Sequence, residues 1–430
     1  MLVKSPAPIY DRKTQTGDTG MWNDGSGQEP AAGTINVQEA DPIPAEARAE
    51  IDRLLMSGDL FRYTSPDKAP VPRLEAEFAA LMGVRYALAV SSCSAALFLS
   101  LKALDLPRGA RVLIPAFTFA AVPSSVLHAE LTPVLVEVDD SLRIDIDDFR
   151  AKLPGAGAVM ISHMRGHTSD MDAILAACDP LGIPVIEDAA HSLGATWGRK
   201  KLGTIGKTGC FSFQSYKLVN AGEGGMLITD DPQIAGRAAI MSGAYEANWK
   251  THPGMADVAG KWQNKLPLYN LRMQNLSAAV IRPQLPLVEL RARRGLVNHD
   301  RVAAHLAPLP YFQVPLPLGP ETRAPDSFQF LLKGDWTDEE ARAFQTTARE
   351  MGAPVSIFGL SEGNARAYWN WHFLGDVPEL PKTRAMLMRA CDIRLPARLT
   401  PEHCDALAGA ILAAGAKVRQ SADARRRGAA

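Results

Sequence analysis

From about residue 43 the chain alternates between two hydrophobic rhythms, one helical and one extended. PAEARAEIDRLLMSG reads as a helix stopped at Gly58. RLEAEFAALMG reads as a second, with Leu74, Phe78 and Leu81 at i, i+4 and i+7 and Gly83 just past its end. Short apolar runs then alternate with helical stretches: YALAV (86–90), RVLIP (111–115), PVLVEV (133–138), AVMISH (158–163), PVIED (184–188), CFSF (210–213) and GMLITD (225–230). Apolar strands separated by helices predict an α/β fold, with a mainly parallel sheet flanked by helices and buried on both faces. Ligands of such sheets bind beyond the carboxyl ends of the strands, where Asp188 falls.

The pattern changes further along. Residues 241–264 are polar and irregular, and a long helical pattern over 276–306 then bridges to a smaller C-terminal α/β domain. There FQFLLKG (328–334) reads as a strand, DEEARAFQTTAREMG as a helix, and PEHCDALAGAILAAG as a final helix opening after Thr400 with Pro401 in its first turn. A chain of 430 residues exceeds one ordinary core. The expected division is a polar arm over 1–40, a large ligand-binding domain over 41–275, the bridging helix and small domain over 276–420, and a basic tail, ARRRGAA, over 421–430.

Charge and cysteines narrow the partners. With 46 basic and 47 acidic residues the net charge is -1, so no global field collects nucleic acid or an anionic membrane, and a small-molecule substrate fits better. Cys93, Cys178, Cys210, Cys391 and Cys404 form no CxxC pairs, no apolar run is long enough to cross a bilayer, and the first residues lack the apolar core of a signal peptide. The expected location is cytoplasmic.

The candidate chemistry is concentrated in residues 185–231, which read VIEDAAHSLGA, CFSFQSYK and AGEGGMLITDD in order. Asp188 ends a strand, His191 follows one helical turn later, and Lys217 lies between a strand end and the glycines Gly222, Gly224 and Gly225. That order suits pyridoxal 5′-phosphate, whose ring nitrogen needs a carboxylate and whose aldehyde needs a lysine amine. Each residue also has a plainer role open to it. Asp188 can cap a helix, His191 can be a structural imidazole, Lys217 can be a solvated lysine, and Ser212, a candidate phosphate ligand, can bond only to backbone. In AVSSCSAALFLSL (89–101), Ser92 and Ser94 at a helix start make an anion site or an ordinary N-cap, and Cys93 is a nucleophile or a small buried thiol. Tyr368, Trp369, Trp371 and His372 in AYWNWHF line a substrate pocket or simply pack. There is no GxxxxGK[ST], HExxH, GxSxG or strand-GxGxxG-helix unit, and no metal-ligand pattern.

Taken together, SSCSAAL (91–97), IPAFTFAA (114–121), GHTSDMDAI (166–174), EDAAHSLGA (187–195), FSFQSYK (211–217), AGEGGML (221–227) and YNLRM (269–273) resemble the sugar aminotransferases of DegT/StrS type, members of the fold type I pyridoxal phosphate enzymes. The resemblance implies that Lys217 forms the Schiff base, Asp188 pairs with the ring nitrogen, and His191 stands where the family has Gln or His. It implies that Phe119 stacks on the ring, that Cys93, Ser94 and Ser212 hold the phosphate, and that Asn270, with Arg272 beside it, reaches in from a second subunit of a homodimer with shared active sites. The reaction expected is transfer of an amino group from an amino acid donor, L-glutamate in relatives, to a keto sugar, nucleotide-linked or not, or a related cyclic ketone. Two other readings are a dehydratase-like sugar-modifying enzyme, which the retained Lys217 opposes, and a non-catalytic cofactor-binding regulatory protein, which would need a DNA-binding module or a broken constellation of site residues. The family's Gly-Thr at the phosphate turn is Cys93-Ser94 here.

Overall fold

Seven strands make the main sheet of the computed structural model, which describes residues 35–65 and 67–428. They are β1 (Tyr86–Val90), β2 (Arg111–Pro115), β3 (Thr132–Val136), β4 (Ala156–Ser162), β5 (Val185–Asp188), β6 (Thr208–Ser212) and β7 (Gly225–Thr229). Their order is β1-β7-β6-β5-β4-β2-β3, and only β7 runs antiparallel to its neighbours. The carboxyl ends of β1, β2, β4, β5 and β6 therefore share one edge, with the start of β7 among them. Leu88, Val90, Ile114 and Met160 pack into one apolar layer, and Leu113, Val159, Ile161 and Val185 into another. That two-sided burial is why these strands are apolar at successive positions instead of alternating.

A second sheet contains Phe312–Gln313, Ser327–Leu332, Ala390–Arg394 and Ser356–Ile357, in that order. Phe328, Phe330, Phe344 and Ile411 form its core with the helices Asp338–Glu350 and Pro401–Gly428. Residues 35–428 belong to one compact unit.

Most of the predicted elements are present, and the differences have local causes. The helices Glu46–Ser57 and Pro70–Met82 end on Gly58 and Gly83, whose φ values of 72° and 76° are left-handed turns that glycine enters without strain. The helix expected over 276–306 is interrupted. Asn275–Ile281 passes through a 3-10 segment, Arg282–Leu287, before the helix Val288–Leu306, because Pro283 and Pro286 remove backbone donors. Residues 241–264 are not irregular throughout. They fold into short turns at Asn248–Thr251, Ala256–Ala259 and Gly260–Trp262, and bury His252, Met255 and Ala259. Gly236 lets this segment approach, since a Cβ there would lie 2.4 Å from the Val258 carbonyl oxygen.

The basic tail is also corrected in part. Residues 421–428 continue the final helix, where Arg425 pairs with Glu339 at 3.4 Å and Arg426 with Glu340 at 3.2 Å. Of the polar arm, residues 1–34 lie outside the described residues. Val37 is buried in the C-terminal core, and Arg398 donates to the carbonyls of Asn36 and Glu39.

Candidate active site

Asp188 is the last residue of β5 and is 6 % exposed. Parallel register puts Ser162, the end of β4, beside it, and the Ser162 hydroxyl donates to Asp188 Oδ2 at 2.7 Å. The Ala190 amide donates to Oδ1 at 3.2 Å, and Cys93 Sγ approaches the same oxygen at 3.8 Å. A buried carboxylate held by these donors is a fixed acceptor at the sheet edge.

Lys217 is half-buried in the turn after β6. Its Nζ lies 2.8 Å from His191 Nε2. Burial pushes the Lys217 amine down to about 8, with Arg165 and Arg366 pushing the same way and Asp326 and Asp188 opposing them. Burial, and then the Lys217 charge, pushes His191 down to about 3, so its imidazole is neutral at pH 7. A near-neutral pKa gives Lys217 a usable fraction of free amine, the form that attacks carbonyl carbon.

The remaining predicted residues divide into two groups. Cys93 and Ser94 open the helix Cys93–Ala103 behind the N-cap Ser92, whose hydroxyl accepts from the Ala95 amide. The first-turn amides of that helix have no partner within the helix, and the Ser94 side chain is exposed beside them. Phe119, in the turn after β2, is 41 % exposed and lies 5.7 Å from the Arg366 guanidinium. Ser212 ends β6, and its hydroxyl accepts from the Gln214 amide at 3.4 Å. Asn270 is exposed, on a segment that Tyr269 and Leu271 tie to the carbonyls of Met241 and Ser242.

The surroundings of the other candidates differ from those expected. The Cys93 thiol, expected at the phosphate, points at Asp188; burial and then that carboxylate hold it protonated, well above its ordinary range. Arg272 donates to the Gly243 carbonyl at 2.9 Å and lies against Phe61 and Tyr245 within its own chain. Tyr368 and Trp371 are core residues. The Tyr368 hydroxyl accepts from the Leu380 amide and Trp371 Nε1 donates to the Ala365 carbonyl, which leaves them packing and not lining. Trp369 is half-buried against Arg384, and His372 is exposed.

Sequence reasoning missed Ser162, Arg165 and Asp326. Arg165 is buried with φ 55° and pairs with Asp392 of the second sheet at 2.5 Å. Asp326 lies 3.5 Å from His191 Nδ1. Ser162 was detectable, because β4 and β5 in parallel register align their last residues. Asp326 stands in no motif, and only the packing of the second sheet against the first brings it in.

Gly225 seals the helix start. A Cβ there would sit 2.2 Å from the Ser92 carbonyl carbon, so the strand β7 and the helix start touch backbone to backbone. Gly225→Ala is expected to cost about 1–3 kcal/mol through forced displacement. The measurement is urea denaturation, with Gly222→Ala, which meets nothing within 4 Å but is strained at φ 73°, as the comparison.

A mainly parallel sheet with a lysine, an imidazole and a buried carboxylate gathered at its carboxyl edge, beside the start of the helix Cys93–Ala103, has the architecture of the α/β aminotransferases. The structure of the aminotransferase TlmJ from Streptoalloteichus hindustanus superposes with a TM-score of 0.77, covering 90 % of this chain and 100 % of that one at 23 % identity. The chain belongs to the DegT/DnrJ/EryC1/StrS aminotransferase family, whose sequence model matches residues 44–412. It is 37 % identical over 260 residues to the spore coat polysaccharide biosynthesis protein SpsC of Bacillus subtilis (strain 168), and 32 % identical over 245 residues to GDP-perosamine synthase of Vibrio cholerae. These matches cover 59 % and 56 % of this chain, and 64 % and 63 % of the relatives' lengths, so the chain spans just under two thirds of each. Among the described residues no helix is long and apolar enough to cross a membrane, and no group of three His, Cys, Asp or Glu side chains could hold a metal ion.

Proposed function

We propose that this chain is a pyridoxal 5′-phosphate-dependent aminotransferase that moves an amino group from an amino acid, L-glutamate by preference, to a keto sugar. The observation that carries the reading is Lys217, a half-buried amine whose pKa burial lowers to about 8, set at the strand ends with Asp188. The names of the relatives, a polysaccharide biosynthesis protein and a GDP-sugar synthase, support a sugar acceptor.

The residues present fit the cofactor. The buried carboxylate of Asp188 suits a protonated ring nitrogen, the exposed face of Phe119 suits a stacked ring, and the amides behind Ser92 with the Ser94 hydroxyl suit a phosphate. When bound, the cofactor supplies a carbonyl that bonds amines and a ring that takes up the electron pair of a carbon losing its proton. Lys217 would hold the cofactor through its Nζ, and the same nitrogen, as free amine, would serve as the base that takes and returns a proton at the reacting carbons. Asp188, steadied by Ser162 and Ala190, keeps the ring nitrogen protonated. Ser212, at the end of the neighbouring strand, is placed to add a hydroxyl to the phosphate.

The assembly proposed is a homodimer with shared active sites, in which Asn270 of each copy completes the other's phosphate site. Its exposure on an anchored segment supports this. Five free thiols support a reducing compartment, the cytoplasm.

The test is spectroscopic. Purified protein mixed with pyridoxal 5′-phosphate is expected to develop the visible absorbance of a lysine adduct, which L-glutamate bleaches and a nucleotide-linked keto sugar restores. Borohydride fixation of the adduct is expected to rise with pH through a midpoint near 8, as Lys217 loses its proton. Absence of the adduct at any pH sinks the proposal.

A further inference from the structure

The second sheet has one apolar and one polar face. Phe328, Phe330, Cys391 and Ile393 lie in its core, so the residues between them, Gln329, Asp392 and Arg394, belong to the opposite face by the two-residue repeat of a strand. That face meets the main sheet: Asp392 pairs with Arg165 at 2.5 Å, and Gln329 meets His167 Nε2 at 3.0 Å. Arg394 donates to the Tyr216 carbonyl at 3.2 Å and lies 4.5 Å over the Tyr216 ring, one residue short of Lys217. Its Nη1 is buried and has no hydrogen-bond partner among the described residues.

A second guanidinium arrives from the turn over residues 364–371. Ala367 forms an antiparallel bridge to Phe117, just past the end of β2, and Asn364 Oδ1 accepts from the Arg366 amide at 2.9 Å. The Asn364 carbonyl accepts from the Ala367 amide and from Asn370 Nδ2, and Trp371 Nε1 closes on the Ala365 carbonyl. The aromatic cluster thus holds the turn that presents Arg366. That side chain is 5 % exposed, lies 5.7 Å from the Phe119 ring and faces Lys217.

Among the described residues, Arg165, Arg366 and Arg394 share this region with two carboxylates, Asp326 and Asp392. Asp41 also faces Arg394 but is paired with Arg398 at 3.5 Å. Burial, and then Arg165, pushes Arg366 down to about 9, and burial lowers Arg394 as well. Buried cations so placed gain from an anion that brings its own acceptors, and a planar guanidinium matches a carboxylate. We propose that Arg366 and Arg394 bind the carboxylate on the reacting carbon of the amino donor, and so select amino acids over amines that lack it. Arg165, held by Asp392, adds charge without being a ligand. The inference rests on the functional reading in placing the reacting carbon at Lys217.

The test compares L-glutamate with 4-aminobutanoate, which lacks only that carboxylate, in bleaching the lysine adduct of the full-length protein. Wild type is expected to favour L-glutamate. In Arg366→Gln, and separately in Arg394→Gln, the L-glutamate concentration for half-maximal bleaching is expected to rise about 10–100-fold while that for 4-aminobutanoate is unchanged. Arg366→Lys is expected to recover part of the loss. A wild type indifferent to the carboxylate, equal losses for both amines, or no loss in either variant overturns the proposal. Calorimetry with 2-oxoglutarate, which keeps both carboxylates of L-glutamate, gives a second readout on protein without cofactor. Wild type is expected to bind it and both Gln variants to bind it more weakly by a similar factor, whereas equal binding, or none by wild type, overturns the proposal. Failure to form the adduct would count against the functional reading, and the calorimetry would still decide this one.

Discussion

Lys217→Ala is expected to lower transamination by at least ~10⁴-fold, the upper range for a lost general base, since the variant also loses its covalent hold on the cofactor. Fold and stability are expected to be nearly unchanged. His191, the nearest partner, is neutral, Arg165 still faces the Asp326 carboxylate once the amine is gone, and removing the amine relieves repulsion with Arg165 and Arg366. The variant should bind pyridoxal 5′-phosphate without the visible adduct and without borohydride fixation, and a small primary amine should return part of the proton-transfer rate. Wild-type turnover in this variant would mean that the reactive amine lies elsewhere.

The second large effect falls on stability, away from the site. Arg62 and Glu75 are fully buried and paired at 2.9 Å, His252 lies 3.1 Å from Arg62, and the Tyr63 hydroxyl meets His252 Nε2 at 2.8 Å. Glu75 also accepts from the Ala89 amide of β1, so the network fastens the 60–64 loop and the 241–264 segment to the sheet. Glu75→Ala strands the Arg62 guanidinium and is expected to cost about 3–5 kcal/mol in urea denaturation at pH 7. Asp405→Ala, which breaks an exposed, solvent-screened pair with Arg301, should leave the denaturation midpoint close to wild type. Burial alone would raise the Glu75 carboxyl, yet Arg62 and His252 lower it to about 2, against an ordinary 4.5. Stability from that shift is fully present above 4.5 and is lost as pH falls toward 2, so the gap between wild type and variant should narrow across that window. A gap that stays constant from pH 7 to pH 3 would contradict the assignment.

The legible and illegible parts of this protein separate by the range of the interactions that set them. Strand positions were readable because burial on both faces makes each strand apolar over its length, and Gly58 and Gly83 marked helix ends by local geometry. Asp188, His191 and Lys217 were readable because the chain delivers them from consecutive elements at one sheet edge. Asp326 and Arg165 were not, because their placement depends on contact between two sheets distant in sequence. The direction of the Cys93 side chain was missed for a related reason. A helix-start position predicts available amides, while the thiol's orientation is decided by Asp188, 95 residues away. Residues 241–264 looked irregular because their order comes from short turns and buried polar partners such as His252, which leave no periodic signal.

The place of β7 in the sheet bears on how the protein is made. β1, the first strand of the main sheet to be synthesised, finds no neighbour in that sheet until Gly225–Thr229 exists, since β7 separates it from β6. On a ribosome, residues 86–90 must wait until some 140 further residues have emerged before their edge is covered, an order-of-magnitude delay of ~10 s at common translation rates. The Ser92–Cys93 turn against Gly225 closes at the same moment. An amino-terminal fragment ending before residue 225 should therefore expose an unpaired apolar strand and aggregate, and chaperone dependence during synthesis should be concentrated in that interval.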